Sequence, residues 1–145
     1  MDSLDHRILD QLRDNARAGY GDIGSVVGLS ASAVKRRVDR LVADGVIQGF
    51  TIKVDPTVED RGTEAWVEIY CRGTVSPDEL RSLLQDVPEV VEAGTVTGSA
   101  DAVVHMRSRD IQSLEEALDR VRLAPHVDHT RSAIVLSTLV SRESA

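Results

Sequence analysis

Three residues, Gly28-Leu29-Ser30, stand between two apolar patterns of helical spacing, and this short break constrains the fold more than any other feature of the chain. Before it, Asp22 to Val27 reads as a short helix with Asp22 as N-cap and Ile23, Val26 and Val27 pointing inward. After it, Val34, Val38, Leu41 and Val42 fall at i, i+4, i+7 and i+8, the buried stripe of a second helix that stops at Gly45. Ser30 can cap that helix, its oxygen accepting backbone N–H bonds of the first turn. Helices joined by so tight a turn approach closely, and Gly24, four residues before Gly28, is the small residue such an approach needs. An earlier stripe in "SLDHRILDQLRDNA", Leu4, Ile8, Leu9 and Leu12, adds a first helix capped by Asp2 or Ser3, with Gly19 and Gly21 in the break that follows.

A helix-turn-helix places its second helix in the DNA major groove, but similar pairs occur in proteins that never touch DNA. The outer face of the second helix discriminates. Ala31, Ser32, Lys35, Arg36, Asp39 and Arg40 share an exposed arc, with Arg37 at its edge. Small residues at the helix start allow close approach, and Lys and Arg bond guanine edges or phosphates. Residues 1–55 hold eight Asp and eight Lys or Arg, so four cations within six positions are a local concentration. Residues 56–145 hold sixteen acidic and nine basic residues, which places the whole formal charge of -7 there. The two parts therefore have different tasks. Ser30, Ser32, Lys35, Arg36, Arg37 and Arg40 are the expected DNA-binding residues, with Lys35, Arg36 and Arg40 on bases and phosphates and Arg37 on the backbone. The alternative is a solvated face whose charges merely cluster.

"GVIQGFTIKVDP" alternates Phe50, Ile52 and Val54 with Thr51, Lys53 and Asp55, which predicts a strand, as a wing or as the arm leaving the first domain. "PTVEDRG" reads as a boundary. The expected organisation is a helix-turn-helix domain over 1–55, a linker over 56–63 and a second domain over 64–145. In that domain "TEAWVEIYCR" alternates as a strand, and "SPDELRSLLQDV" has Ser76 as cap and Pro77 at the first helical position. "VVEAGTVTG" and "DAVVHMRS" are two strands turned at Gly98-Ser99-Ala100. "DIQSLEEALDRVRL" is a helix capped by Asp110 that buries Ile111, Leu114, Leu118 and Val121, and "HVDHTRSAIVLSTLV" is a long last strand. This βαββαβ order is ferredoxin-like, so the fold class is α+β. Two helices cover one sheet face, and the other is expected to show Val and Leu unless a partner covers it, which implies a homodimer.

With both parts placed, the chain resembles the Lrp/AsnC (leucine-responsive regulatory protein / asparagine regulator) family of transcription factors. The resemblance rests on "LDHRILDQLRDNAR", "VGLSASAVKRRVDRLVADGVIQGFT", "GTVTGSADAVVHM" and "HVDHTRSAIVL". It implies an N-terminal winged helix-turn-helix on double-stranded DNA and a C-terminal ferredoxin-like (RAM) domain that dimerises and assembles further, to tetramers or octamers. It also implies a small effector, such as an amino acid, between neighbouring RAM domains. The effector-binding residues carried over are Thr97, Gly98, Ser99, Ala100 and Asp101 in one turn, with Thr130 and Ser132 on the last strand. A Gly-containing turn offers N–H groups to a carboxylate, and Asp101 can accept from an ammonium. The chain departs from the family pattern at Ala102, where an aromatic is usual, at Glu89 and His126, where Gly is usual, and at Ser132, where a Thr is usual.

Other chemistries have little support. His126 and His129 would face opposite sides of a strand, and with His105 and no cysteine cluster they make no tetrahedral set, so no metal site and no cofactor are expected. No nucleophile–base pair, phosphate loop or paired catalytic carboxylates are found, so no catalytic residues are assigned. Two rivals remain: an enzyme similar to the tetrapyrrole decarboxylases of the same two-domain architecture, and an effector-sensing assembly protein that does not bind DNA. No apolar run approaches the ~18 residues of a membrane helix. The acidic, amphipathic "MDSLDHRILDQL" is unlike a signal peptide, and the one cysteine, Cys71, fits a reducing interior, so the expected location is the cytoplasm.

Overall fold

The structure is a computed structural model that describes residues 1–140; the last five positions of the expected second domain lie outside them. Among the described residues the chain divides into two compact units, one over Met1–Lys53 and the other over 54–140. The first contains α1 (Ser3–Asp14), α2 (Tyr20–Val27) and α3 (Ala31–Ala43). Asp2 caps α1 through a reciprocal pair: the Asp5 N–H donates to Asp2 Oδ1 and the Asp2 N–H donates to Asp5 Oδ2, both at 2.9 Å. Ile8, Leu12, Ile23, Val27, Val34 and Val38 close the core of this unit. Each such side chain contributes roughly 1.5–3 kcal/mol when fully buried.

Between α2 and α3 the backbone turns at Gly28, whose φ of 79° is the left-handed conformation that favours glycine. A Cβ on Gly24 would lie 2.3 Å from the Leu29 carbonyl oxygen, so the close approach of the turn to α2 excludes any side chain there. Ser30 caps α3 by accepting the Ala33 N–H at 3.2 Å. Three details differ from expectation. α2 starts at Tyr20 with Gly19 as cap rather than at Asp22, because Gly21 is tolerated inside the helix for about 1 kcal/mol. Val26 and Val42 are exposed, each lying just beyond the edge of its helix's buried stripe. No strand forms over Phe50–Asp55: the segment alternates as a strand should, but no neighbouring strand among the described residues offers it a hydrogen-bonded ladder.

The second unit runs β1 (Thr63–Cys71), α4 (Pro77–Leu84), β2 (Val90–Thr95), β3 (Ala102–Ser108), α5 (Ile111–Arg122) and β4 (Val127–Ile134). Its four strands form one antiparallel sheet in the order β2-β3-β1-β4. Ala65, Val67 and Ile69 of β1 and Ala102, Val104 and Met106 of β3 share the face that packs on Leu80, Leu84, Leu114, Leu118 and Val121. Ser76 with Glu79, and Asp110 with Ser113, cap α4 and α5. Ile111, expected inside, is exposed in the first turn of α5. β4 ends at Ile134 rather than running on to Val140: the Val135 N–H still donates to the Glu64 carbonyl at 2.8 Å, but β1, its partner among the described residues, starts at Thr63, so the register offers no β1 residue opposite positions beyond Leu136.

The sheet's second face is not the Val and Leu surface expected. The same two-residue alternation that buries Val67 turns Trp66, Glu68 and Tyr70 outward, next to His105, Arg107, His129 and Arg131. Trp66 stacks on His105 (centroids 4.5 Å apart) and Tyr70 on His129 (4.3 Å). His105 Nε2 lies 2.6 Å from Glu64 Oε1. No described helix is long and apolar enough to cross a membrane.

Candidate nucleic-acid interface and effector site

The stripe that buries Val34, Val38 and Leu41 turns Ser32, Lys35, Arg36 and Arg40 of α3 outward. Ser30 and Ser32 place their hydroxyls 3.1 Å apart at the helix start, where backbone N–H groups and the positive end of the helix dipole also point. Lys35 reaches one turn along to Asp39, Nζ to Oδ2 at 2.5 Å, and that contact raises the ammonium pKa, through its hydrogen bond before its charge. Arg36 is exposed and has no hydrogen-bond or ion-pair partner among the described residues.

Arg37 and Arg40 have a setting that the sequence did not announce. Both reach α1, where Asp5 is 0% exposed. Arg37 Nη1 donates to Asp5 Oδ1 and to Asp2 Oδ2, each at 2.7 Å. Arg40 Nη2 donates to both oxygens of Asp5, at 3.0 and 2.9 Å. The Arg37 side chain is 23% exposed and that of Arg40 is 53%, so Arg40 keeps part of its guanidinium in solvent. The Arg37 hydrogen bond, followed by the Asp5 N–H, holds the Asp2 carboxyl down at about 2. Asp5 is lowered too, first by its backbone bond at Asp2, although its burial opposes the shift. Asp5 is the site residue that sequence reasoning missed. One signal was available: it falls three and seven residues before Ile8 and Leu12, on the buried stripe of α1, where a carboxylate needs a cationic partner.

In the second unit, Thr97, Gly98 and Ser99 are exposed, Ala100 is buried and Asp101 is half-buried. Gly98 has φ 106°, so the turn uses backbone that side chains disfavour. Asp101 ties the turn to the end of β1: its N–H donates to the Ile69 carbonyl at 2.9 Å, and Oδ2 accepts the Cys71 N–H at 2.7 Å. That bond lies where the β1–β4 register shifts between Tyr70 and Cys71. Burial, then the Asp101 charge, pushes the Cys71 thiol pKa up, which suits a packing residue rather than a nucleophile. Thr130 pairs with Ile69 on the other side of β1, and its Oγ1 accepts from Arg122 Nε at 3.0 Å; Ser132 follows, opposite Val67, and is exposed. Asp101 and Thr130 thus flank the same end of β1, about two strand spacings (~10 Å) apart. Two clefts lie elsewhere, about 420 Å³ between α4 and β2 and about 470 Å³ between α4 and the Ala124–Val127 segment. Among the described residues, no group of three or more His, Cys, Asp or Glu is placed to hold a metal ion.

Comparison with known proteins connects the two units. Residues 1–42 match the AsnC-type helix-turn-helix domain and residues 64–145 match the Lrp/AsnC ligand binding domain. The chain is 48% identical over 142 residues to the HTH-type transcriptional regulator Rv2324 of Mycobacterium tuberculosis, covering 98% of this chain and 96% of that protein. Among solved structures, E. coli AsnC superposes with a TM-score of 0.90 at 26% identity, over 98% of this chain and 96% of that one. A feast or famine regulatory protein from M. tuberculosis, complexed with L-methionine, gives 0.88 at 31% identity, over 99% and 97%.

Proposed function

Because the chain belongs to the Lrp/AsnC family of transcriptional regulators, we propose that α3 is the element through which it reads double-stranded DNA, with Ser30, Ser32, Lys35, Arg36, Arg37 and Arg40 as its contact residues. It is a DNA-binding regulator and not an enzyme. The observation that carries the residue assignment is Arg36, an exposed arginine with no ion-pair partner among the described residues, on the outer arc of a helix whose first turn presents two hydroxyls. Arg and Lys on such an arc bond guanine O6 and N7 or phosphate oxygens. Arg40 has part of its head in solvent and can do the same, while Arg37 sits nearer the core and suits a backbone contact.

The second unit is the effector and assembly domain in this reading. Thr97–Asp101, Thr130 and Ser132 are the effector contacts, and an amino acid is the effector class; a relative bound to L-methionine supports that class. The gap between Asp101 and Thr130 suits a site completed by a neighbouring copy. A homodimer, assembling to tetramers or octamers, brings two α3 helices to half-sites one helical turn or a multiple apart. A regulator of this kind works in the cytoplasm.

The test is binding to fragments selected from the host genome, with and without a panel of amino acids. Arg36→Ala and Arg40→Ala are each expected to weaken binding about tenfold or more, the ~1–3 kcal/mol of a lost base or phosphate contact. Unchanged affinity in both removes the assignment.

A further inference from the structure

Four cations on α3 look like an electrostatic footprint, yet three of them have a carboxylate within hydrogen-bond distance. Lys35 meets Asp39, Arg37 meets Asp2 and Asp5, and Arg40 meets Asp5. These carboxylates differ in kind. Asp39 and Asp2 are exposed, so water or a phosphate can replace them at small cost. Asp5 is wholly buried, accepts from both arginines and bonds the Asp2 N–H, so a DNA phosphate cannot displace it without stranding a charge in the core.

Phosphate attraction is independent of sequence, whereas base contacts depend on geometry. A buried carboxylate against two recognition-helix arginines acts on both in opposite senses. It offsets charge, which weakens attraction to any duplex. It also fixes the two guanidinium planes, which favours hydrogen bonds of defined direction. We infer that Asp5 is a specificity-determining residue: by holding Arg37 and Arg40 in one geometry and offsetting their charge, it makes α3 discriminate by sequence rather than by phosphate attraction. This rests on the reading that α3 contacts DNA. Asp5 itself touches no base and acts through the two arginines, as a positioning residue.

The test compares full-length wild type with Asp5→Asn on two probes across a KCl series. One probe is a random-sequence 40-base-pair duplex, and the other is the tightest fragment that the wild type selects from sheared genomic DNA. Asparagine keeps the shape and can still cap, and it leaves no buried unpaired charge because Arg37 keeps its bond to Asp2 and the Arg40 side chain is 53% exposed. Releasing one guanidinium is expected to steepen the slope of log K against log salt on the random duplex by about one. Affinity for that duplex should rise about threefold near 0.1 M salt, while the ratio of selected to random affinity falls about tenfold. Loss of a purely structural contact would lower the melting temperature and leave the salt slope alone. If Asp5→Asn does not fold, Asp2→Asn carries the test: its side chain is exposed, Asn caps helices as well as Asp, and the slope should steepen in the same direction by a smaller amount. An unchanged slope and an unchanged ratio in the folded variant overturn the proposal. Arg36→Ala separates the two layers. If it weakens binding while Asp5→Asn changes neither readout, α3 still reads DNA and only the role of Asp5 falls; if neither it nor Arg40→Ala has an effect, both fall.

Discussion

Asp2 holds α1 and α3 together as well as capping a helix, and its acid titration reports on both tasks. Its carboxyl is held at about 2 by the Arg37 hydrogen bond first and the Asp5 N–H second. An unfolded Asp titrates near ~3.9. The folded value is depressed, so this carboxylate contributes stability that is fully present above pH ~4 and is lost as pH falls toward about 2. Asp5, also lowered, adds stability of the same sign, lost on acidification. Far-UV circular dichroism of the wild type and Asp2→Asn, followed from pH 6 down to pH 2, should show the variant already less stable at pH 6 and its deficit shrinking below pH ~4. Parallel curves across that range would mean that the Asp2–Arg37 contact contributes no pH-dependent stability. None of this was legible from the spacing of the basic residues. Periodicity placed Arg37 at the edge of the α3 stripe, but what lay opposite depended on how α1 crosses α3, which is a tertiary fact.

At the scale of elements, the turn between α2 and α3 was the most legible part of the chain, because its chemistry is local. Gly28 needs a positive φ, Ser30 bonds a backbone N–H three residues on, and Gly24 yields space to a carbonyl within the same dozen residues. The two glycines are required for different reasons, and substitution separates them. Gly28→Ala meets no atom within 4 Å, so it is expected to lose only the left-handed strain of about 1–2 kcal/mol. Gly24→Ala meets the Leu29 oxygen at 2.3 Å, a backbone atom that cannot rotate away, so the turn must open. It should lose about 3 kcal/mol or more and weaken DNA binding with it. Urea unfolding of the two variants side by side checks the ranking; equal losses would show that the approach at Gly24 is not tight. Helix caps at Ser76 and Asp110 were readable for the same local reason. The Phe50–Asp55 segment and the end of β4 were misread because a strand exists only where another strand faces it, and alternation alone does not supply one.

At the scale of the whole molecule, the sheet topology decides which residues of the second unit are available to a second copy in the proposed dimer. α4 and α5 cover one face, and the opposite face carries Trp66 at its centre, 46% exposed and stacked on the nearly buried ring of His105. Around that stack the carboxylates already have partners within the chain: Glu64 lies 2.6 Å from His105 Nε2 and 3.8 Å from Arg107 Nε, and Glu68 lies 3.8 Å from Arg131 Nε. A face with a large flat aromatic at its middle and paired charges around it can be desolvated at lower cost than one of bare charges. Self-association through it brings two Trp66 side chains near the two-fold axis, where a change is felt twice. Trp66→Glu puts a third carboxylate in line with Glu64 and Glu68 on the same face of β1 while leaving Ala65 and Val67 in the core untouched. It is expected to weaken the dimer by at least about 2 kcal/mol per chain, which is roughly a 30-fold change in the dissociation constant for each copy. Sedimentation equilibrium should then show single chains at concentrations where the wild type is associated, with the circular dichroism of the fold retained. Operator affinity should fall with it, because two half-sites are held by one pair of α3 helices only while the pair is joined. An unchanged mass would place the assembly surface elsewhere, with the exposed Phe50 and Ile52 of the connecting segment as the next apolar surface to test.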